Sequence, residues 1–225
     1  MKKTVLYPIA ATILASLSSC SVDQDTAPTI ELSAEKISSR LATFGDQPLE
    51  SLMASTEAME VGQLLFGSNC ASCHQADGTG RMGVPDLTDQ HWLFEGTAES
   101  IEQTIRTGRI GLMPEFGSVI GEVELGLLVS YVEYLGETGA EMSTGEQSGK
   151  VLYDLHCVDC HAADGTGIAN LGPNLTDDYW QWGGNMIQIR QSITVGRNAQ
   201  CPAHGGLLSD AEVQLLTAYT LGLSS

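Results

Sequence analysis

One pentapeptide pattern, Cys-x-x-Cys-His, occurs twice in this chain of 225 residues, and the repetition constrains the fold more than any other feature. Cys70-Ala71-Ser72-Cys73-His74 runs into Gln75-Ala76-Asp77-Gly78-Thr79-Gly80, and Cys157-Val158-Asp159-Cys160-His161 runs into Ala162-Ala163-Asp164-Gly165-Thr166-Gly167. Pro85-Asp86-Leu87-Thr88-Asp89 answers Pro173-Asn174-Leu175-Thr176-Asp177, and Trp92 answers Trp180. Further on, Gly108-Arg109 matches Gly196-Arg197, Met113-Pro114 matches Cys201-Pro202, and Tyr131 matches Tyr219. The offset is 87 residues up to Gly80 and 88 from Pro85 onward, so one residue is inserted in a loop. The chain is a duplication. Each copy is glycine-rich and poor in aromatics (6% of the chain), which leaves little bulk for a side-chain core. Small domains of that composition depend on a staple, a metal or a cofactor.

Helical signals flank each Cys pair. Leu125, Leu128, Val132 and Leu135 form an apolar stripe at spacings of 3, 4 and 3, and Ser209 with Glu212 reads as a capping box opening the matching helix. Ahead of the Cys pairs stand Gly62 with Phe66 and Gly149 with Tyr153, a glycine that lets another helix cross closely and an aromatic one turn later. The expected organisation is a domain over residues 57–139 and a second over 144–225. Residues 20–56, mixed polar with Pro28 and Pro48, are expected to be a mostly flexible tether with at most a helical turn or two. At the N-terminus, Lys2 and Lys3 precede an apolar run from Val5 to Leu17, too short for the ~20 residues that span a bilayer. Residues 1–19 therefore read as an export signal. Leu17-Ser18-Ser19-Cys20 resembles a bacterial lipobox, which makes Cys20 the expected lipid anchor, with Ser21 favouring the outer membrane facing the periplasm.

Cys-x-x-Cys-His is the signature of covalent haem attachment. The two thiols add across the vinyl groups of one haem, and the His is placed to bind its iron. Cys70, Cys73, Cys157 and Cys160 are the expected attachment points of two haem c groups, with His74 and His161 as iron ligands. A four-ligand zinc site would need a further Cys or His recurring in each repeat. None recurs, since His91 has Tyr179 as its equivalent and His156 has Asn69. A thioredoxin-like pair would need a βαβ context, which is absent. The formal charge of −18 argues against nucleic acid as a partner, because phosphate neutralisation requires Lys and Arg. It predicts redox protein partners with basic docking surfaces, steered electrostatically.

With these motifs in place, residues 57–225 resemble class I c-type cytochromes, and more specifically the dihaem subunit of cbb3-type cytochrome oxidases. The resemblance implies an all-α fold of two tandem domains, each wrapped around one haem, with N- and C-terminal helices crossing over it. It implies that Pro85 and Pro173 offer their carbonyls to the proximal His Nδ1–H. Arg109 and Arg197 would pair with haem propionates, and Trp92 and Trp180 would pack beside the haem. Met113 is the expected sixth ligand of the first haem, its soft thioether raising the potential. Cys201 stands where the family's second Met belongs. Of six cysteines, four go to haem and Cys20 to acylation, so Cys201 is a lone thiol. It is the expected ligand of the second iron as a thiolate, with His204, Met186 or an open site as alternatives; thiolate ligation would leave electrons resting on the first haem. The function implied is an electron carrier, not an enzyme, with a terminal oxidase or a periplasmic dehydrogenase as partner. Two other readings stand beside it, a dihaem enzyme of the thiosulfate-oxidising type and a haem-based redox or gas sensor, both using the Cys201 site. An export signal stands where the oxidase subunit carries its membrane anchor, so the oxidase is expected as an electron acceptor rather than as a complex to which the chain belongs.

Overall fold

Side-chain caps decide where most of the long helices begin. The computed structural model describes residues 34–137 and 140–224; the stretch read as an export signal and lipobox, with Cys20, lies outside the described residues. In chain order these contain α1 (Ala34–Phe44), α2 (Leu49–Ala54), α3 (Thr56–Asn69), α4 (Ala71–His74), α5 (Ala98–Thr107), strand β1 (Arg109–Met113), α6 (Glu122–Tyr134), α7 (Thr144–His156), α8 (Val158–His161), α9 (Met186–Val195), strand β2 (Arg197–Cys201) and α10 (Asp210–Leu223). Ser55 accepts from the Ala58 N–H to open α3, and Thr97 accepts from the Ser100 N–H to open α5. Capping boxes open α7 (Ser143 with Glu146), α9 (Asn185 with Gln188) and α10 (Ser209 with Glu212). Gly108 and Gly196, at φ +71° and +69°, turn the chain out of α5 and α9 into the strands, a conformation that costs glycine little. The all-α class holds, with one two-stranded antiparallel ribbon added to the helices.

The packing does not follow the repeat boundary. α10, the last helix of the second repeat, packs on α3 and α5 of the first, while α6, the last helix of the first repeat, packs on α7 and α9 of the second. One core joins Val61, Leu65 and Phe66 of α3 with Leu215, Leu216 and Ala218 of α10. The other joins Leu125, Leu128, Val129 and Val132 of α6 with Tyr153 of α7 and Ile189 and Ile193 of α9. The two repeats do not each pack by themselves: each packed unit takes its N-terminal elements from one repeat and its closing helix from the other. The first unit comprises α1–α5 and α10. The second comprises α6–α9, with its closing helix ahead of its opening helix in the chain.

The glycine-mediated crossings expected from the sequence are present, with exchanged partners. A Cβ on Gly62 would lie 2.8 Å from the Cβ of Tyr219, and one on Gly149 would lie 2.7 Å from the Cβ of Tyr131. Only glycine permits that approach. The physical reason for the exchange lies in chain length: α6 and α7 are separated only by residues 135–143, and short connections make consecutive helices antiparallel neighbours.

A local two-fold relates the units. β1 and β2 pair with Gly111 opposite Ala199, two repeat-equivalent positions 88 apart, so the axis passes through that pair. Hydrogen bonds come in related pairs about it. Phe116 N–H donates to Ile193 O (2.9 Å) and His204 N–H to Ile105 O (2.8 Å); Gly83 N–H donates to Gln181 O (2.9 Å) and Asn170 N–H to Leu93 O (2.8 Å). This is the geometry of an isologous, element-swapped dimer contained in one chain.

The expected tether is corrected over its described part. α1 and α2 are helical, and Phe44 and Leu52 are buried in the first unit's core against α10. The Gln214 side chain also donates to Gln47 O at 2.7 Å. Burial of a Phe and a Leu stabilises by roughly 1.5–3 kcal/mol each, which outweighs the polar composition of the segment. Among the described residues, no helix is long and apolar enough to cross a membrane.

Candidate haem sites

Each attachment motif is a single helical turn hung from the end of a longer helix. Cys70 N–H donates to Phe66 O (2.8 Å), and His74 N–H donates to Cys70 O (3.0 Å), closing the turn α4. Cys157 and His161 repeat these bonds onto Tyr153 O and Cys157 O, at 2.8 and 2.9 Å. One turn places the two thiols of each motif at i and i+3, on the same side of the helix, with the imidazole beside the second. Gln75 and Ala162, at φ 64° and 62°, end the turns and send the chain into the Asp-Gly-Thr-Gly loops. There Asp77 accepts from Thr79 N–H and Oγ1, and Asp164 accepts from Thr166 in the same way. These hydrogen bonds hold both carboxyls below the usual carboxylate range. Gly80 N–H and Gly167 N–H then return to His74 O and His161 O, each at 2.9 Å.

The imidazoles are fixed as the resemblance implied. His74 Nδ1 lies 3.0 Å from Pro85 O and His161 Nδ1 lies 2.9 Å from Pro173 O. A carbonyl only accepts, so Nδ1 carries the proton and Nε2 presents a bare lone pair. Burial lowers both imidazole pKa values, against the opposing pull of the carbonyl bond, and favours the neutral ring a metal requires. All five described cysteines are free of disulfides. Burial pushes the Cys70 thiol up to about 11, with Cys201 and then Cys73 adding to the rise. It pushes Cys157 up to about 12, with Cys160 adding. Among the described residues no cluster of three or more His, Cys, Asp or Glu could hold a metal ion. Two thiols and one neutral imidazole per turn, with the imidazole tethered from behind, are the donor set that a covalent haem needs.

The distal candidates lie in the units opposite to those expected. Met113, at the end of β1, packs on the second unit's core together with Cys157, Val158, Leu175 and Trp180. Cys201, at the end of β2, lies beside the Cys70–Cys73 turn: burial raises its thiol and Cys73 adds to the rise, while Cys201 in turn adds to the rise at Cys70. The ribbon thus sends Met113 toward the His161 turn and Cys201 toward the His74 turn, the reverse of the placement read from the sequence. The antiparallel register is the cause: it sets Met113 opposite Arg197 and Cys201 opposite Arg109, so the two residues leave opposite ends of the ribbon. His204 also belongs to the first unit through its bond to Ile105, and Met186, 56% exposed, opens α9.

The remaining predicted residues buttress these loops. Arg109 Nε donates to Thr104 Oγ1 (3.0 Å) and its guanidinium lies 5.2 Å from the Phe94 ring centroid. Arg197 Nε donates to Ser192 Oγ (3.0 Å), with its guanidinium 4.7 Å from the Trp182 ring centroid. The indoles of Trp92 and Trp180 rest against Gly96 and Gly184, where a Cβ would lie 2.8 and 2.6 Å away. Sequence reasoning missed the contact of His91 with Tyr179, whose rings stack at 4.7 Å and 4° between the units. The signal was present, because these are repeat-equivalent positions, and equivalent residues meet at a two-fold axis.

Tyr153 distinguishes the second site. Fully buried, its hydroxyl donates to Ala162 O (2.7 Å) and lies 3.2 Å from His161 O, while Phe66 in the first repeat carries no hydroxyl. Tyr153→Phe is expected to lower stability by about 1–2 kcal/mol, the cost of leaving those carbonyls without the donor. Guanidinium unfolding of variant and wild type measures it.

The family model described as cytochrome c oxidase, cbb3-type, subunit III matches residues 57–132 and 145–219. The chain is similar to the cbb3-type cytochrome c oxidase subunit CcoP of Rubrivivax gelatinosus, 35% identical over 222 residues, covering 97% of this chain and 72% of the relative. It is likewise similar to the cbb3-type subunit FixP of Azorhizobium caulinodans, 35% identical over 196 residues, covering 80% of this chain and 67% of that protein. Two attachment turns, two tethered imidazoles and a family model matched twice lead to one conclusion: the chain belongs to the cbb3-type cytochrome c oxidase subunit III family, as a dihaem c-type cytochrome that transfers electrons.

Proposed function

We propose that the chain works in the periplasm, taking electrons from a reduced donor and passing them toward a cbb3-type terminal oxidase. Cys70, Cys73 and His74 hold one haem, and Cys157, Cys160 and His161 hold the other. The observation that carries this reading is the pair of His Nδ1 to Pro carbonyl bonds directly behind each attachment turn. When bound, haem c supplies a one-electron Fe(III)/Fe(II) couple. The residues of the chain orient and insulate it. Pro85 and Pro173 fix the ring plane of each imidazole and strengthen its donor nitrogen. Export and acylation at Cys20 belong to the same proposal, resting on the Leu17-Ser18-Ser19-Cys20 stretch. The mass of the mature N-terminus tests that part.

The main test uses the holoprotein. Pyridine haemochrome analysis is expected to give two haems per chain, and a purified cbb3 oxidase is expected to reoxidise the reduced protein under air. One haem per chain, or no oxidase-dependent reoxidation, overturns the proposal. The charge of −18 adds a salt dependence. Between low and physiological ionic strength, the bimolecular rate is expected to fall by about tenfold or more, as steering toward a basic surface is screened. Stopped-flow traces over a salt series measure it, and a rate that rises with salt would indicate an acidic docking face instead.

A further inference from the structure

We propose that the two haems exchange their distal ligands between repeats, Met113 serving the His161 haem and Cys201 serving the His74 haem. The inference rests on the reading that both attachment motifs carry haem. Three observations carry it. The closing helices are exchanged, α10 onto α3 and α6 onto α7, so each distal segment enters the unit its helix closes. Met113 shares an apolar cluster with Cys157, the first attachment cysteine of the second site. In the other direction, Cys201 follows β2 into the first unit, where its carbonyl meets Gly108 and the next residues run along α5, with Gly205 N–H donating to Arg106 O at 3.1 Å.

The exchange inverts the expected redox order. A thioether favours reduced iron and a thiolate favours oxidised iron. The electron therefore rests on the His161 haem, and the His74 haem takes the low potential. The ribbon that delivers both ligands is shared, so each haem's sixth position is anchored by the backbone of the other repeat.

Optical and electron paramagnetic resonance spectra of the oxidised full-length dihaem protein test this through variants that keep both thioether attachments. His161→Ala removes the proximal ligand of the second haem and is expected to abolish the far-red thioether-to-iron charge-transfer band while leaving the low-spin thiolate signal. His74→Ala is expected to do the reverse. Cys201→Met is expected to remove the thiolate signal and about double the thioether band. The opposite pattern for the two His variants overturns the exchange while leaving the dihaem reading intact. Absence of both signals from the wild type, with two haems per chain, also overturns it. Absence of haem from either motif defeats the functional reading itself, and haemochrome stoichiometry separates that case. Should a His variant fail to fold, Met113→Leu in a chain lacking haem at Cys70 and Cys73 reads the same point. Loss of the thioether band from the remaining His161 haem supports the exchange, and no band to lose refutes it.

Discussion

Deletion of α10 by truncation after Leu208 is expected to dismantle the first haem unit and spare the second. Leu215, Leu216 and Ala218 are essentially fully buried, and their removal uncovers Leu52, Val61 and Phe66 on the other side of the same core. At roughly 1.5–3 kcal/mol for each large apolar side chain withdrawn from water, the loss rivals the whole stability of a small unit, about 5–15 kcal/mol. The second core contains nothing from α10. Limited proteolysis is expected to degrade α1–α5 while a fragment spanning β1 to α9 survives. The His161 haem keeps its wild-type spectrum, and the His74 haem turns high-spin. If the C-terminal half is the part degraded, the units are closed within repeats and the exchange is wrong.

Gly149→Val is expected to be nearly as damaging, with the opposite address. Its side chain would be driven against Tyr131 Cβ and the Leu127 carbonyl, and backbone cannot yield as a flexible side chain can. Overpacking of this kind costs about 3 kcal/mol or more. Gly62→Val, against Tyr219 Cβ and the Leu215 carbonyl, should injure the first unit in the same way. Gly67 supplies the control: it lies in α3 with nothing within 4 Å of the Cβ position, so Gly67→Ala should be neutral or stabilise by up to ~1 kcal/mol. Thermal melts followed at the Soret band of each haem would resolve which unit fails. A Gly149→Val variant as stable as Gly67→Ala would mean that the helices do not cross as closely as described.

Much of the site was legible from residue types alone. A Cys-x-x-Cys-His turn carries its own geometry, because i, i+3 and i+4 positions share one face of a helix whatever surrounds it. The Ser209 capping box and the two crossing glycines are local signals of the same kind. The tether was misread because composition over residues 20–56 averages away Phe44 and Leu52, two side chains buried at the base of α10. Partner choice was illegible for a deeper reason. Gly62 offers the same cleft as Gly149, and Tyr131 the same edge as Tyr219, so packing within a repeat and packing between repeats bury equivalent surfaces. Duplication makes the two solutions nearly degenerate, and the tie is broken by the short 135–143 connection and the β1–β2 register rather than by any side chain in the motifs.

The ribbon also dictates an order of assembly. The second unit is one continuous stretch of chain and completes itself once α9 has been made, whereas the first must await the last helix. Closing the first unit unaided would mean joining Gly62 to Tyr219 across most of the polypeptide, at the full entropic cost of so long a loop. Prior folding of the second unit brings Arg109 and Cys201 side by side, and what was a long loop becomes a hairpin-sized gap. Domains generally mature from the N-terminus as synthesis proceeds. In this chain the later-made unit is the scaffold, and the earlier-made unit is finished on it last.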